Sequence, residues 1–143
     1  MTTVQRAAQV FGWIFIAVGV IGFLYSRGST IADTATAPHI FGLFAVNIWH
    51  NLVHLGSGIA GVALAGRVDS AIAYCKTMGV IYLLLVPLGF IIPSTLGLMP
   101  IGGNDIWLHA LLGIGLAYFG FTAHPRTVGT AGEAREHATA ARR

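Results

Sequence analysis

Four long apolar stretches decide most of what this chain can become. They run from Ala7 to Tyr25, Val46 to Ala65, Ser70 to Ile92 and Asp105 to Thr122. A helix of about 20 apolar residues is what the hydrocarbon core of a bilayer requires. Val, Ile and Leu are spread around each stretch without alternation, which argues for helices and against barrel strands. Composition agrees, with 55% hydrophobic and 9% charged residues, where roughly a quarter charged is usual in a soluble domain. So few charges would leave a soluble surface uncovered, whereas lipid covers a bundle of apolar helices. The expected fold is all-α, a four-helix transmembrane bundle over residues 1–124, followed by a flexible cytoplasmic tail over 125–143.

The start MTTVQR is only weakly basic and no A-x-A-like site follows Tyr25, so the first stretch reads as a permanent span and not as a cleaved signal. Arg6, Arg67, Lys76, Arg126, Arg135, Arg142 and Arg143 fall on one side of a chain that crosses four times, and Arg27 on the other. The positive-inside bias then places both termini in the cytoplasm. Tyr25, Trp49 and Trp107 are expected at the outer interface and Tyr74 at the inner one, as in aromatic belts. The tail carries a short candidate helix from Glu133 to Ala141.

The chain also repeats itself. GLFAVNIWHNLVHLGSGI from Gly42 lies without a gap over GLMPIGGNDIWLHALLGI from Gly97. Leu43 falls on Leu98, His50 on Asp105, His54 on His109 and Gly58 on Gly113. GWIFIAVGVIGF from Gly12 lies over GVIYLLLVPLGF from Gly79, pairing Phe15 with Tyr82 and Gly22 with Gly89. The expectation is two parallel-topology hairpins, 7–65 and 70–122, related by an axis along the membrane normal.

The repeat gives the histidines a setting. Residues four apart share a helix face. Asn47, His50, Asn51, His54, Gly58 and Gly61 form one stripe, and Asp105, His109, Gly113 and Gly120 another. Small residues let membrane helices approach closely. The stripes are therefore expected to face each other, touching at Gly58 and Gly113. His54 and His109 then lie just above the contact, and His50 and Asp105 nearer the outer surface. His54 is about 12 Å along the helix from Val46, in the outer leaflet.

Several chemistries suit this cluster. His50, His54, Asp105 and His109 are a donor set for zinc, copper or iron. His54 and His109 also suit the axial positions of a haem, although the glycines beside them leave little room. Alternatively the cluster only fixes helix register, with Asn47, Asn51 and Asn104 as polar support and Gly58 and Gly113 as packing contacts. A proton or substrate path is a third reading, opposed by the absence of a polar chain below His54. Acid–base catalysis is a fourth, and the balance is against an enzyme. The chain has no P-loop, G-x-S-x-G or H-E-x-x-H to name a reaction.

Other features narrow the field. One cysteine, Cys75, excludes an intrachain disulfide and a cysteine-based zinc site. The net charge is +3, but no basic patch with interleaved aromatics offers a nucleic-acid surface. The expected partner is the lipid bilayer, with a homo-oligomer or other membrane proteins left open. Pro87 is expected to kink its span. His39 reads as a loop residue, and His124 and His137 as cytoplasmic.

The strings N-x-x-H-N-x-x-H, at Asn47, His50, Asn51 and His54, and N-D-x-x-L-H, at Asn104, Asp105, Leu108 and His109, are the most specific in the chain. On them the sequence resembles a family of small four-span bacterial integral membrane proteins catalogued as a domain of unknown function. The resemblance covers roughly Val4 to Phe121. It implies a four-span fold and the bacterial inner membrane, and no activity.

Overall fold

The structure, a computed structural model, describes residues 1–125. Among them are four α-helices: α1 (Thr3–Ser26), α2 (Ile48–Leu64), α3 (Val68–Ile91) and α4 (Asp105–Thr122). Two short strands, β1 (His39–Ile40) and β2 (Phe44–Ala45), form an antiparallel hairpin between α1 and α2. The candidate tail helix from Glu133 to Ala141, the tail arginines and His137 lie outside the described residues.

The ends of the helices follow from local side chains. Thr2 accepts from the Gln5 backbone N–H, and the Gln5 side chain accepts from the Thr2 N–H at 2.9 Å, a reciprocal cap that satisfies two free donors. The Gln5 amide then donates to the Ala65 carbonyl at 2.9 Å, tying the start of α1 to the end of α2. At the far end, Arg27 closes α1 in the left-handed region, its N–H bonded to the Phe23 carbonyl.

Helices α1, α3 and α4 are long and apolar enough to cross a membrane. The stretch Val46–Ala65 is a shorter helix than its hydropathy suggests. The Asn47 side chain accepts from the His50 backbone N–H at 3.0 Å. That cap starts α2 at Ile48 and leaves 17 residues, about 25 Å at roughly 1.5 Å per residue. Among the described residues, three helices and not four therefore have the full length of a span. The outward faces are apolar, with Leu24, Ile91, Leu111 and Phe121 each more than 60% exposed. Exposed apolar surface of this extent is what a membrane covers.

Packing is closest within each hairpin. A Cβ on Gly58 would stand 2.6 Å from the Gly12 carbonyl oxygen and 2.6 Å from the Ile16 amide nitrogen. On Gly113 it would stand 2.9 Å from the Leu83 amide nitrogen, and on Gly79, 2.5 Å from that of Ala117. Glycine is required here because the backbones touch. Gly58 and Gly113 thus do not meet across the bundle, contrary to what their stripes predict. Each faces the other helix of its own hairpin. The cause is geometric: a step of four residues overshoots a turn by about 40°, so the direction from His50 to Gly58 swings by about 80°.

Between the hairpins, Phe15 of α1 stacks on Tyr82 of α3, with ring centroids 5.0 Å apart and planes at 24°. Both rings are buried. Tyr74 is also buried, and its hydroxyl donates to the Ser57 carbonyl at 3.1 Å. This corrects its expected place in an inner aromatic belt: the hydroxyl has a protein partner and needs no headgroup. Tyr25, Trp49 and Trp107 are exposed. Pro87 lies inside α3, which continues to Ile91.

Candidate metal centre

Helix α2 carries His50 and His54 one turn apart, and α4 carries Asp105 and His109 one turn apart. The Nε2 atoms of His50 and His54 are 3.0 Å apart. Their rings stack, with centroids at 4.8 Å and planes at 19°. Asp105 Oδ2 lies 3.4 Å from His50 Nε2 and 3.9 Å from His109 Nε2. One ring nitrogen from each of the three histidines lies within 4.8 Å of the other two. All four side chains are buried, each residue no more than 3% exposed.

The surroundings are aromatic. Phe15 lies against His54, with centroids at 5.6 Å, and Tyr82 stands edge-on to His109 at 5.3 Å and to His54 at 6.3 Å. Neither ring was named as part of the site from sequence, since each sits in an apolar run on the other two helices. The signal was there in the sequence alignment of Phe15 with Tyr82.

The polar accounting is incomplete in one place. Among the described residues, the buried polar side-chain atoms with no hydrogen-bond partner are the Nδ1 atoms of His50, His54 and His109 and Oδ2 of Asp105. Each such atom costs about 1–3 kcal/mol when left unpaired. The four belong to the four residues that converge. A zinc–nitrogen bond of about 2.0–2.1 Å sets tetrahedral ligand nitrogens roughly 3.3 Å apart. The His50–His54 pair is close to that spacing. A porphyrin held by His54 and His109 would have to displace the His50 ring, which stacks on His54 and lies 6.2 Å from His109.

The remaining residues of the two stripes divide. Asn51 turns away from the cluster: its amide donates to the Ser26 hydroxyl at 2.9 Å and lies against Gly22. Asn47 caps α2, and its amide donates to the Leu98 carbonyl at 2.8 Å. Asn104 is exposed and donates to the Leu43 carbonyl at 3.1 Å. His39 pairs with Ala45 in the β-hairpin, and His124 is exposed at the end of α4.

These features define a class: an all-α bundle of membrane-span helices enclosing a buried histidine cluster with the spacing to hold a metal ion. Within that class, the chain belongs to the family described as Domain of unknown function (DUF4383), whose model matches residues 5–122. No curated protein matches significantly, and no solved structure does.

Proposed function

We propose that this protein binds a transition-metal ion between α2 and α4, with His50, His54 and His109 as nitrogen ligands and Asp105 as an oxygen ligand. The observation that carries the reading is the convergence of three buried imidazole nitrogens within 4.8 Å. Imidazole-rich sets of this kind suit Zn2+, Cu2+ or Fe2+ and not Mg2+ or Ca2+. A cluster that served only to lock helix register would close its hydrogen bonds between the helices, whereas the closed bond here, His50 to His54 at 3.0 Å, lies within α2. A charge-assisted bond from imidazole to carboxylate runs at about 2.7–2.9 Å, whereas Asp105 stands 3.4 and 3.9 Å from its histidines.

In this reading all four helices cross the bacterial inner membrane, α2 as a short span, and both termini are cytoplasmic. The two hairpins are related units. Gly58 meets Ile16 in the first, and Gly113 meets Leu83 in the second; Gly12 meets Val62, and Gly79 meets Ala117. These contacts join positions that the sequence repeat aligns, which supports a common origin of the halves. The lipid bilayer is the partner this arrangement requires.

The test is metal content. Protein purified in mild detergent, without a metal-binding tag, is expected to carry near-stoichiometric metal that a His54→Ala, His109→Ala double variant loses. A well-folded protein free of metal, which also fails to take up Zn2+, Cu2+ or Fe2+, would sink the proposal. A Soret band would replace the ion with haem.

A further inference from the structure

The loop that leads into α2 and the loop that leads into α4 are built alike over residues 38–46 and 93–101. In the first, the Val46 N–H donates to the Pro38 carbonyl at 2.8 Å and the Leu43 N–H to the Ile40 carbonyl at 2.9 Å. In the second, the Ile101 N–H donates to the Pro93 carbonyl at 2.8 Å and the Leu98 N–H to the Thr95 carbonyl at 3.2 Å. Each tip holds two consecutive residues in the left-handed region: Phe41 and Gly42, with φ of 51° and 72°, and Leu96 and Gly97, with φ of 56° and 90°. Positive φ at both central positions of such a turn favours Asn-Gly, and a bulky side chain at the first is strained. Both times the strained residue is large and apolar, and both times it points away from the protein. Phe41 is 71% exposed and Leu96 is 89% exposed.

We infer that Phe41 and Leu96 are lipid anchors, each turn being held strained so that its tip enters the bilayer at the boundary of headgroups and acyl chains. The inference rests on the reading that the helices cross a membrane and is independent of the metal. Three observations select lipid as the partner. No Asp, Glu, Lys or Arg lies between Asp33 and Arg67 or between Lys76 and Asp105, so neither tip has a charge to hold it in water. The first tip also lies against helix faces that lipid covers. The Phe41 ring packs edge-on to Tyr25 of α1, with centroids at 5.5 Å, and Leu43 borders a groove with the exposed Trp107 and Leu111 of α4. Finally, backbone near lipid needs bonded polar groups, and the carbonyls beside the tips are taken. The Asn104 amide donates to Leu43 at 3.1 Å and the Asn47 amide to Leu98 at 2.8 Å. Those bonds also hold one tip at the start of α4 and the other at the start of α2, and a bilayer surrounds both.

Paramagnetic broadening of amide NMR signals tests this on the unmodified full chain in lipid nanodiscs. One probe is phosphatidylcholine with a doxyl group near the head of its acyl chain, and the other is a neutral, water-soluble gadolinium chelate. The Gly42 and Gly97 amides are expected to lose more intensity to the lipid probe than to the chelate. Ala35, exposed in the same loop as Phe41, is expected to do the opposite, and Leu111 on α4 to respond to lipid alone. Greater loss to the chelate at Gly42 or Gly97 overturns the inference, and so does protection from both probes, which would mean that another protein covers the tip. If Leu111 ignores the lipid probe, the membrane reading fails and the anchors with it; if Leu111 responds and the tips do not, the anchors fail alone. A Phe41→Asn, Leu96→Asn double variant keeps residues that tolerate the left-handed turn and removes the apolar tips. It is expected to retain the Leu111 response while Gly42 and Gly97 shift toward the chelate. Unchanged lipid contact in that variant would show that these side chains are not the anchors.

Discussion

The side-chain amide of Asn47 donates to the backbone carbonyl of Leu98 at 2.8 Å, joining the first residue before α2 to the loop that leads into α4. The same side chain accepts from the His50 N–H. One residue therefore sets where the histidine-bearing helix begins and holds it to the chain that delivers Asp105. Asn104 returns the link by donating to the Leu43 carbonyl, so the α1–α2 and α3–α4 loops are bonded in both directions.

Asn47→Ala is expected to lower stability by about 1–2 kcal/mol through loss of the cap, and to weaken metal retention because His50 loses its anchor. Asn104→Ala, at an exposed bond, is expected to cost less than about 1 kcal/mol. Thermal unfolding in detergent, with metal content measured on the same samples, checks both.

The glycine contacts within the hairpins give a sharper contrast. Gly58→Ala forces a methyl into backbone atoms of α1 and is expected to cost about 1–3 kcal/mol, as overpacking does. Gly56→Ala, two residues earlier on the same helix, meets nothing within 4 Å and is expected to leave the melting temperature unchanged or raised. Comparable losses from both would show that α2 does not pack on α1 at Gly58.

At the cluster, His54→Gln separates a ligand from a hydrogen-bonding lock. Glutamine retains a donor and an acceptor, but its amide is a poor substitute for imidazole on a transition metal. The expected outcome is loss of metal with the fold retained. Asp105→Asn removes the charge of a ligand and is expected to weaken affinity by more than the about tenfold that loss of even a ligand-supporting residue costs. Chelator competition gives both numbers.

Asp33 in the α1–α2 loop supplies the pH prediction. The Thr36 hydroxyl donates to its Oδ1 at 2.9 Å, and the Thr36 and Ala35 N–H groups add bonds at 3.0 and 3.1 Å. Together they hold the carboxyl below its ordinary value of 3.8. A carboxyl depressed in the folded state stabilises the fold above its unfolded value, and that contribution fades as pH falls through the folded one. The loop is thus expected to hold its turn at neutral pH and loosen only below pH 3.8. Thr36→Val removes the largest contribution and is expected to raise the Asp33 titration midpoint, read by carbon NMR.

The sequence made the helices legible because apolar length is written directly in composition. It also made the convergence of His50, His54, Asp105 and His109 legible, since four-residue spacing and the alignment of the two stretches both pointed there. It misjudged where the glycines face. A helix surrounded by apolar neighbours has no polar side to show which neighbour a small residue touches, and the stripe turns as it descends. Tyr82 was hidden for a related reason: one hydroxyl among Leu, Val and Ile does not disturb the pattern of a span, although it brings the ring edge-on to His109. Asn51 misled in the opposite direction. It shares a face with His54 in a helical projection, yet Ser26 captures its amide.

The cluster is divided evenly between the hairpins, two groups on α2 and two on α4. Each hairpin can zip its own backbones together at glycine, but neither contains a complete centre. During biogenesis the centre cannot exist until both hairpins are in place and have docked. Until then His50, His54, Asp105 and His109 are polar groups without their cross-hairpin neighbours. The centre is therefore a record of finished assembly: a chain in which those four side chains have closed on one another is a chain whose halves have both been inserted and paired.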